Sequence, residues 1–202
     1  MLKAKVCVLV SGGGTNLQAI IDAIKSDVIK SAEISAVIAS NPNAYALERA
    51  KANGIPAEVV YKKEIGSQEA FEARLIELIE HYEADIIVLA GFMCILSENF
   101  TKRYPERIIN VHPSLIPSFC GKGFYGLKVH EAALDYGVKV TGATVHFVNE
   151  IPDGGKIIMQ KAVAIEDGDT PEVLQKRVME QAEWIILPES VEKVAKEIID
   201  RR

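Results

Sequence analysis

The chain has 202 residues, with 23 Lys and Arg against 28 Asp and Glu, which gives a formal charge of −5. This length suits a single domain, residues 1–202, large enough to bury a core without disulfides or a metal. With 49% hydrophobic and 25% charged residues, the composition is typical of a globular protein and excludes disorder as the main state. A net acidic chain is a poor match to a nucleic-acid backbone, so we expect small-molecule substrates as partners.

The cysteines and the apolar runs indicate a reducing compartment. Cys7, Cys94 and Cys120 are far apart and form no Cys-x-x-Cys pair, which excludes zinc ribbons and thioredoxin-like motifs. The apolar run at 6–10 is too short for the core of a signal peptide. The longest uncharged apolar stretch, 86–96, reaches about half the length of a bilayer span. We therefore expect a cytoplasmic protein without a membrane partner, and the sequence leaves monomer and homodimer open.

Strand and helix patterns alternate through the first 112 residues. The run 6–10 is continuously apolar and partly β-branched, which is typical of a strand buried on both faces of a parallel sheet. A helical stripe follows from Leu17 to Ile24. The further predicted elements are strands at 34–39, 57–61, 86–89 and 108–111, and helices at 43–53 and after Ser67. This order predicts an α/β fold, a doubly wound, mostly parallel, Rossmann-like sheet with helices on both faces.

The pattern changes after residue 112. Residues 113–126 are rich in Gly and Pro and predict a loop, followed by a short helix at 128–136. Two strands at 139–148 and 156–165 are close enough in sequence to pair antiparallel, or to bracket a functional loop. Thr170 and Pro171 begin a helix that runs to the C-terminus, with an interruption expected near Pro188.

The glycine-rich turn Ser11-Gly-Gly-Gly-Thr-Asn16 lies between the first strand and the first helix. Backbone N–H groups and the helix dipole make such a position attractive to an anion, and Thr15 and Asn16 can add donors. The dinucleotide fingerprint fails, because Leu17 stands where it needs glycine, and no Walker Lys-Ser/Thr pair is present. A tight strand-to-helix turn without a ligand is the alternative interpretation.

Asn110, His112 and Asp153 form the candidate catalytic set. Asn110 and His112 are two positions apart, so they project from one face of a strand that ends at the expected ligand crevice. An amide can hold a developing oxyanion, and an imidazole can donate a proton near neutral pH. Asp153 opens an Asp-Gly-Gly loop predicted to face the same sheet edge, where its carboxylate would favour the imidazolium. A histidine satisfied in a turn and an ordinary Asp-Gly turn are the alternatives.

Several segments together resemble the phosphoribosylglycinamide formyltransferase family, in the order of that family and over nearly the whole chain. The opening segment is the narrower marker of the family, whereas the Asn-x-His-Pro-Ser-Leu block is shared by the wider formyltransferase superfamily. The matching segments are Ser11-Gly-Gly-Gly-Thr-Asn-Leu-Gln18, Leu89-Ala-Gly-Phe-Met93 with Ile95-Leu96, Ile109-Asn-Val-His-Pro-Ser-Leu-Ile-Pro117, Gly142-Ala-Thr-Val-His-Phe147 and Asp153-Gly-Gly155.

The resemblance implies transfer of a formyl group from 10-formyltetrahydrofolate to the amine of glycinamide ribonucleotide. Asn110 would hold the formyl oxygen, His112 would donate a proton, and Asp153 would raise the pKa of the histidine and order a water. The residues implied to bind the ribonucleotide are Gly13, Gly14, Thr15 and Asn16 at its phosphate and Glu183 at its ribose.

The resemblance also implies where the folate lies. The implied contacts are Met93, Cys94, Ile95, Leu96, Asn110, Val148, Asn149, Glu150, Ile151 and Asp153. Many relatives carry Arg where Cys94 stands and a basic residue where Gln68 stands, and Lys122 is a candidate replacement.

Other functions remain as alternatives. No His, Cys or carboxylate spacing matches a metal site, and the expected chemistry needs no metal. A formyltetrahydrofolate hydrolase and a methionyl-tRNA formyltransferase are disfavoured, because we expect neither an extra regulatory domain nor a tRNA-binding one here. A non-catalytic nucleotide-binding module has no need for Asn110, His112 and Asp153 together.

Overall fold

The computed structural model describes residues 2–202 and contains a seven-stranded sheet. The strands are β1 Ala4–Val10, β2 Ala32–Ala39, β3 Ala57–Val59, β4 Ile86–Leu89, β5 Ile108–His112, β6 Val140–Phe147 and β7 Ile157–Ala164. Their order across the sheet is β3-β2-β1-β4-β5-β6-β7. The first five pair in parallel, whereas β6 and β7 are antiparallel. The predicted fold class is therefore confirmed, including the antiparallel C-terminal strands.

Helices follow the strands closely at the predicted places. The helices are α1 Thr15–Lys25, α2 Ala46–Ala52, α3 Lys62–Ile65, α4 Gln68–His81, α5 Glu98–Arg103, α6 Leu127–Tyr136, α7 Pro171–Val178 and α8 Trp184–Asp200, with a π-helical turn at Met179–Glu183. The sequence did not predict α3 and α5. Ser97 caps α5 by accepting a hydrogen bond from Phe100 N, as Ser67 caps α4 by accepting one from Ala70 N.

Apolar side chains fill both faces of the sheet. Because successive strand residues point to opposite faces, Val8 of β1 belongs to the cluster under α1 and α8, and Leu9 belongs to the cluster under α4 and α5. The chain places β2 on one side of β1 and β4 on the other, which creates a topological switch point between them. No helix within residues 2–202 is long and apolar enough to cross a membrane.

The interruption predicted near Pro188 lies earlier in the chain. Pro188 is inside α8, and the irregular part is the π-helical turn Met179–Glu183. Proline cannot donate to the carbonyl four residues earlier, and its ring crowds that group. That carbonyl belongs to Trp184, where ψ has opened to −5°.

Candidate active site

The glycine turn leaves the start of α1 open to an anion. Gly14 is the N-cap, with φ of 70°, no side chain caps the helix, and no acid lies in its first turn. The first intrahelical bond runs from Gln18 N to Gly14 O, at 2.9 Å. The preceding helical N–H groups, those of Thr15 and Asn16 among them, therefore remain available, as the anion-site prediction requires.

Glu183 lies against the same turn. Its Oε2 accepts a hydrogen bond from Asn16 Nδ2 at 2.8 Å, and the residue is only 7% exposed. Burial raises the pKa of Glu183, and the bond from Asn16 opposes part of that rise. Glu183 ends the π-helical turn, a feature that often occurs at functional sites. The structure thus brings the two predicted substrate contacts, 167 positions apart in the chain, together.

The predicted folate segment after β4 is joined to the turn after β1. Ser11 Oγ accepts a hydrogen bond from Met93 N at 2.8 Å and lies 2.6 Å from Ser40 Oγ. Met93 and Ile95 are 59% and 78% exposed, whereas Cys94 and Leu96 pack on the core. The anion turn and the folate segment are therefore neighbours at the carboxyl edge of the sheet.

Gln68 of α4 supports the folate segment. Its Nε2 donates to Ile95 O at 3.1 Å and to Glu72 Oε1 at 2.6 Å. Glu72 is buried and also accepts from Ser97 N. Gln68 therefore contacts the backbone of the segment.

Asn110, His112 and His146 share one face at the junction of β5 and β6. The register pairs Asn110 with His146 and His112 with Thr144. Ile109 and Val111 belong to the core on the opposite face, so the alternation confirms that Asn110 and His112 point the same way. Asn110 Nδ2 lies 3.2 Å from His146 Nε2.

Asp153 reaches the two histidines from the β6–β7 loop. Its Oδ2 lies 3.5 Å from His112 Nδ1, and its Oδ1 lies 3.6 Å from His146 Nε2. Gly121 N donates to Oδ2 at 2.8 Å. Asp153 has φ of 56°, a left-handed conformation that is uncommon outside glycine and often occurs at functional sites.

The route of this loop differs from the predicted one. The prediction put this loop at the carboxyl edge of the parallel strands. The loop instead leaves β6 at the opposite edge, beside the start of β5, where Val148 N donates to Ile108 O. It returns across the sheet face to bring Asp153 to His112. Gly155 makes this return possible, because a Cβ there would lie 1.7 Å from Phe147 O. Of the other predicted folate contacts on the loop, Val148 packs on the core. Asn149 is partly exposed, and Glu150 and Ile151 are exposed.

The protonation of the cluster follows from its burial and contacts. Burial lowers the pKa of His112, and the carboxylate of Asp153 and the carbonyl of Phe119 oppose this effect in part. Burial raises the pKa of Asp153, but the contacts with His146, His112 and Gly121 outweigh it and leave that pKa below its ordinary value. Asp153 is therefore ionised near neutral pH and helps His112 to hold a proton.

His146 is the residue whose place in the cluster the sequence did not define. Its Nδ1 lies 2.8 Å from Phe147 O, an acceptor, so Nδ1 carries a proton. Its Nε2 lies 3.2 Å from Asn110 Nδ2 and 3.6 Å from Asp153 Oδ1. His146 therefore contacts both the candidate oxyanion-binding amide and the carboxylate.

Two other features of the site were not predicted. Arg49 of α2 donates from Nε to Gly13 O at 2.8 Å, and nothing in its local pattern signals this contact. A cavity of about 500 Å³ between α1 and α8 is lined partly by Thr15, Arg49 and Trp184. Within residues 2–202, no group of three or more His, Cys, Asp or Glu side chains is placed to hold a metal ion.

The sequence matches the formyl transferase family over residues 4–191. The chain therefore belongs to the formyl transferase family. Within it, the phosphoribosylglycinamide formyltransferase of Escherichia coli K12 is 42% identical over 176 residues, covering 87% of this chain and 80% of that protein. The resemblance that the motifs indicated is thus confirmed.

Longer relatives and solved structures agree. The trifunctional purine biosynthetic protein adenosine-3 of Bos taurus is 44% identical over 96% of this chain, which spans only 18% of the length of that protein. Glycinamide ribonucleotide transformylase 1 from Symbiobacterium toebii superposes with a TM-score of 0.90 at 39% identity, covering 96% of this chain and 89% of that one. The Coxiella burnetii phosphoribosylglycinamide formyltransferase gives a TM-score of 0.88 at 42% identity, covering 96% and 88%.

Proposed function

We propose that this chain transfers the formyl group of 10-formyltetrahydrofolate to the amine of glycinamide ribonucleotide in purine biosynthesis. The observation that carries the proposal is the contact of Asp153 with His112 and His146, beside Asn110, in a member of the formyl transferase family. The names of the relatives support the choice of acceptor. The cytoplasmic location, the choice between monomer and homodimer and the assignment of residues 1–202 to one domain stay predictions.

The open N–H groups of the glycine turn suit the phosphate of the ribonucleotide. Gly13, Gly14, Thr15 and Asn16 surround the uncapped helix start, where the dipole favours an anion. Glu183 has one oxygen bonded to Asn16, and a second carboxylate oxygen is free to accept a ribose hydroxyl. In this proposal the glycyl end of the ribonucleotide points toward β5, which lies two strands from β1 in the sheet.

The folate donor suits the segment after β4 and the β6–β7 loop. Met93, Ile95 and Ile151 present exposed apolar side chains, which a flat heterocycle can cover. Backbone groups of the same segments supply donors and acceptors. The family defines a formyl transfer, and the donor and its contacts form part of this proposal.

In the transfer, the formyl carbon of the donor forms a bond to the glycyl nitrogen. The bond between that carbon and N10 of the folate then breaks. Asn110 donates an amide N–H to the formyl oxygen as negative charge develops there. His112 gives its proton to the departing N10. Asp153 stabilises the imidazolium and accepts, through a water, the proton that the glycyl nitrogen releases, so atoms and charge balance.

The loop after β5 occupies one ring nitrogen of His112. His112 Nε2 bonds to Phe119 O at 2.8 Å, while Nδ1 faces Asp153. Both ring nitrogens thus face acceptors, and the carbonyl of Phe119 has to release Nε2 before this nitrogen can donate to a substrate.

The test is the rate of tetrahydrofolate formation with and without glycinamide ribonucleotide. We expect turnover that requires the ribonucleotide and yields its N-formyl product in equal amounts. His112→Ala should lower kcat by about 10²–10⁴-fold, the usual contribution of a general acid. The exposed His81 provides the control, and His81→Ala should keep wild-type kcat. Tetrahydrofolate release that is independent of the ribonucleotide would indicate a hydrolase, and unchanged kcat in His112→Ala would refute the site.

A further inference from the structure

Helix α2 holds the carbonyl side of the glycine turn. Ala46 N donates to Gly12 O at 3.1 Å, and Arg49 Nε donates to Gly13 O at 2.8 Å. In a trans peptide the C=O of one residue and the N–H of the next point in opposite directions. The N–H groups of Gly13 and Gly14 are therefore turned away from α2, toward the open side of the turn.

The absence of a side chain at Gly14 permits this approach. A Cβ there would lie 2.7 Å from Ala46 Cβ and 2.9 Å from Ala46 Cα. With any other residue α2 would move outward, and Arg49 with it. The third glycine of the turn thus serves the contact with α2 as well as the backbone conformation.

The guanidinium of Arg49 contacts neutral groups among the described residues. Besides Gly13 O, its guanidinium contacts Gln18 Oε1 at 3.0 Å, and its Cζ lies 5.2 Å from the ring centroid of Tyr45. Among the side chains of residues 2–202, none with a carboxylate forms an ion pair with it. A full positive charge therefore lies beside the positive end of α1. An anion in the turn would neutralise both.

We propose that Arg49 is a positioning residue for the phosphate monoester of the ribonucleotide substrate. Through Gly13 O it fixes the peptide groups that bind the phosphate, and its charge raises the affinity of the turn for a dianion. This inference rests on the proposed function, because it names the group that recognises the phosphate of that same substrate.

The test compares Arg49→Met and Arg49→Lys with Lys51→Met. Lys51 is an exposed residue of the same helix, so its substitution removes an equal charge without touching the turn. Arg49→Met should raise KM for glycinamide ribonucleotide about tenfold or more, because a charged hydrogen bond is lost. Its kcat and its KM for the formyl folate should stay within about twofold. Arg49→Lys keeps the charge and should recover part of the loss, and Lys51→Met should match the wild type.

A substrate without phosphate separates recognition from general damage. Glycinamide riboside cannot use the turn, so Arg49→Met should leave its kcat/KM unchanged within about twofold. Inorganic phosphate should compete with the ribonucleotide, and its inhibition constant should rise in Arg49→Met by the same factor as KM. Thermal unfolding shows whether each variant is folded. If Arg49→Met is not folded, the ribonucleotide and the riboside are compared with Arg49→Lys instead.

The outcomes distinguish the two proposals. Equal losses with ribonucleotide and riboside, or an unchanged KM for the ribonucleotide, would overturn the role of Arg49. If Thr15→Ala weakens the ribonucleotide while Arg49→Met does not, only the role of Arg49 fails. If the wild-type protein forms no N-formyl ribonucleotide, the proposed function fails with it.

Discussion

Asp153 and His112 allow a direct test of electrostatic coupling at the scale of single residues. His112 has to be protonated to donate, so the activity should fall as the pH rises through its pKa. The carboxylate 3.5 Å away raises this pKa against the lowering effect of burial. Asp153→Asn removes the raising contribution, and the basic limb of kcat should therefore move to lower pH.

The measurement is kcat between pH 5 and 9 for the wild type and Asp153→Asn. Asp167→Asn is a matched control, since Asp167 is fully exposed and contacts only Lys139 among the ion pairs of residues 2–202. Its profile should coincide with the wild-type one. A basic limb that stays in place or moves to higher pH in Asp153→Asn would contradict the coupling.

The residues that the sequence could predict share a short-range signal. Asn110 and His112 are two apart on a strand, and the period of a strand alone puts them on one face. His146 joins them through the register of β5 with β6, and Arg49 joins the turn through the packing of α2. Neither register nor helix docking follows from local patterns, so neither residue was assigned to the site.

At the scale of elements, Gly155 decides whether the β6–β7 loop can return to the sheet. A Cβ would lie 1.7 Å from Phe147 O, a backbone atom that cannot move aside without breaking the ladder. Gly155→Ala should therefore displace Asp153 and lower kcat about 10²-fold or more, comparable to the loss of a general acid-base group.

Gly168→Ala provides the comparison for Gly155→Ala. Gly168 has φ of 86° and no atom within 4 Å of an added Cβ, so its substitution strains a turn without a clash. It should cost about 1–2 kcal/mol of stability and leave kcat unchanged. Both variants need a check of folding by circular dichroism. Wild-type kcat in a folded Gly155→Ala protein would show that the loop does not depend on this close approach.

Element types were more predictable than element ends. The long apolar runs and the caps at Ser67 and Thr170 marked their elements, and their side chains make the expected capping bonds. Helix α5 was not predicted, although Ser97 caps it, because it is only six residues long and Phe100 is its single apolar residue. The π-helical turn before Pro188 depends on how α8 packs, and no local pattern encodes it.

At the scale of the whole molecule, three parallel strands bring together groups that are remote in sequence. Because β1, β4 and β5 are adjacent, their carboxyl ends place the glycine turn, the folate segment and Asn110 side by side. The β6–β7 loop reaches this site from the other end of the sheet. The parallel part of the site was therefore predictable from topology. Asp153 was also predicted at this edge, but the path by which its loop reaches His112 was not.

The stability of the molecule in acid should depend on His130. This residue of α6 is fully buried, and neither ring nitrogen has a hydrogen-bond partner within the described residues. Burial lowers its pKa from 6.5 to about 4, and the charge of His112 adds to that effect. Between pH 6.5 and about 4, the unfolded chain therefore binds a proton at this residue that the folded chain does not. The stability of the fold consequently falls as the pH drops through this window.

The expected loss from this group is about 3 kcal/mol between pH 7 and 4, since one pKa unit corresponds to about 1.4 kcal/mol. Urea unfolding across this range measures it. His130→Gln, which carries no charge at any of these pH values, should show a flatter dependence by that amount, whereas His81→Gln at an exposed site should follow the wild type. Parallel curves for His130→Gln and the wild type would mean that the buried ring accepts its proton without opening the fold.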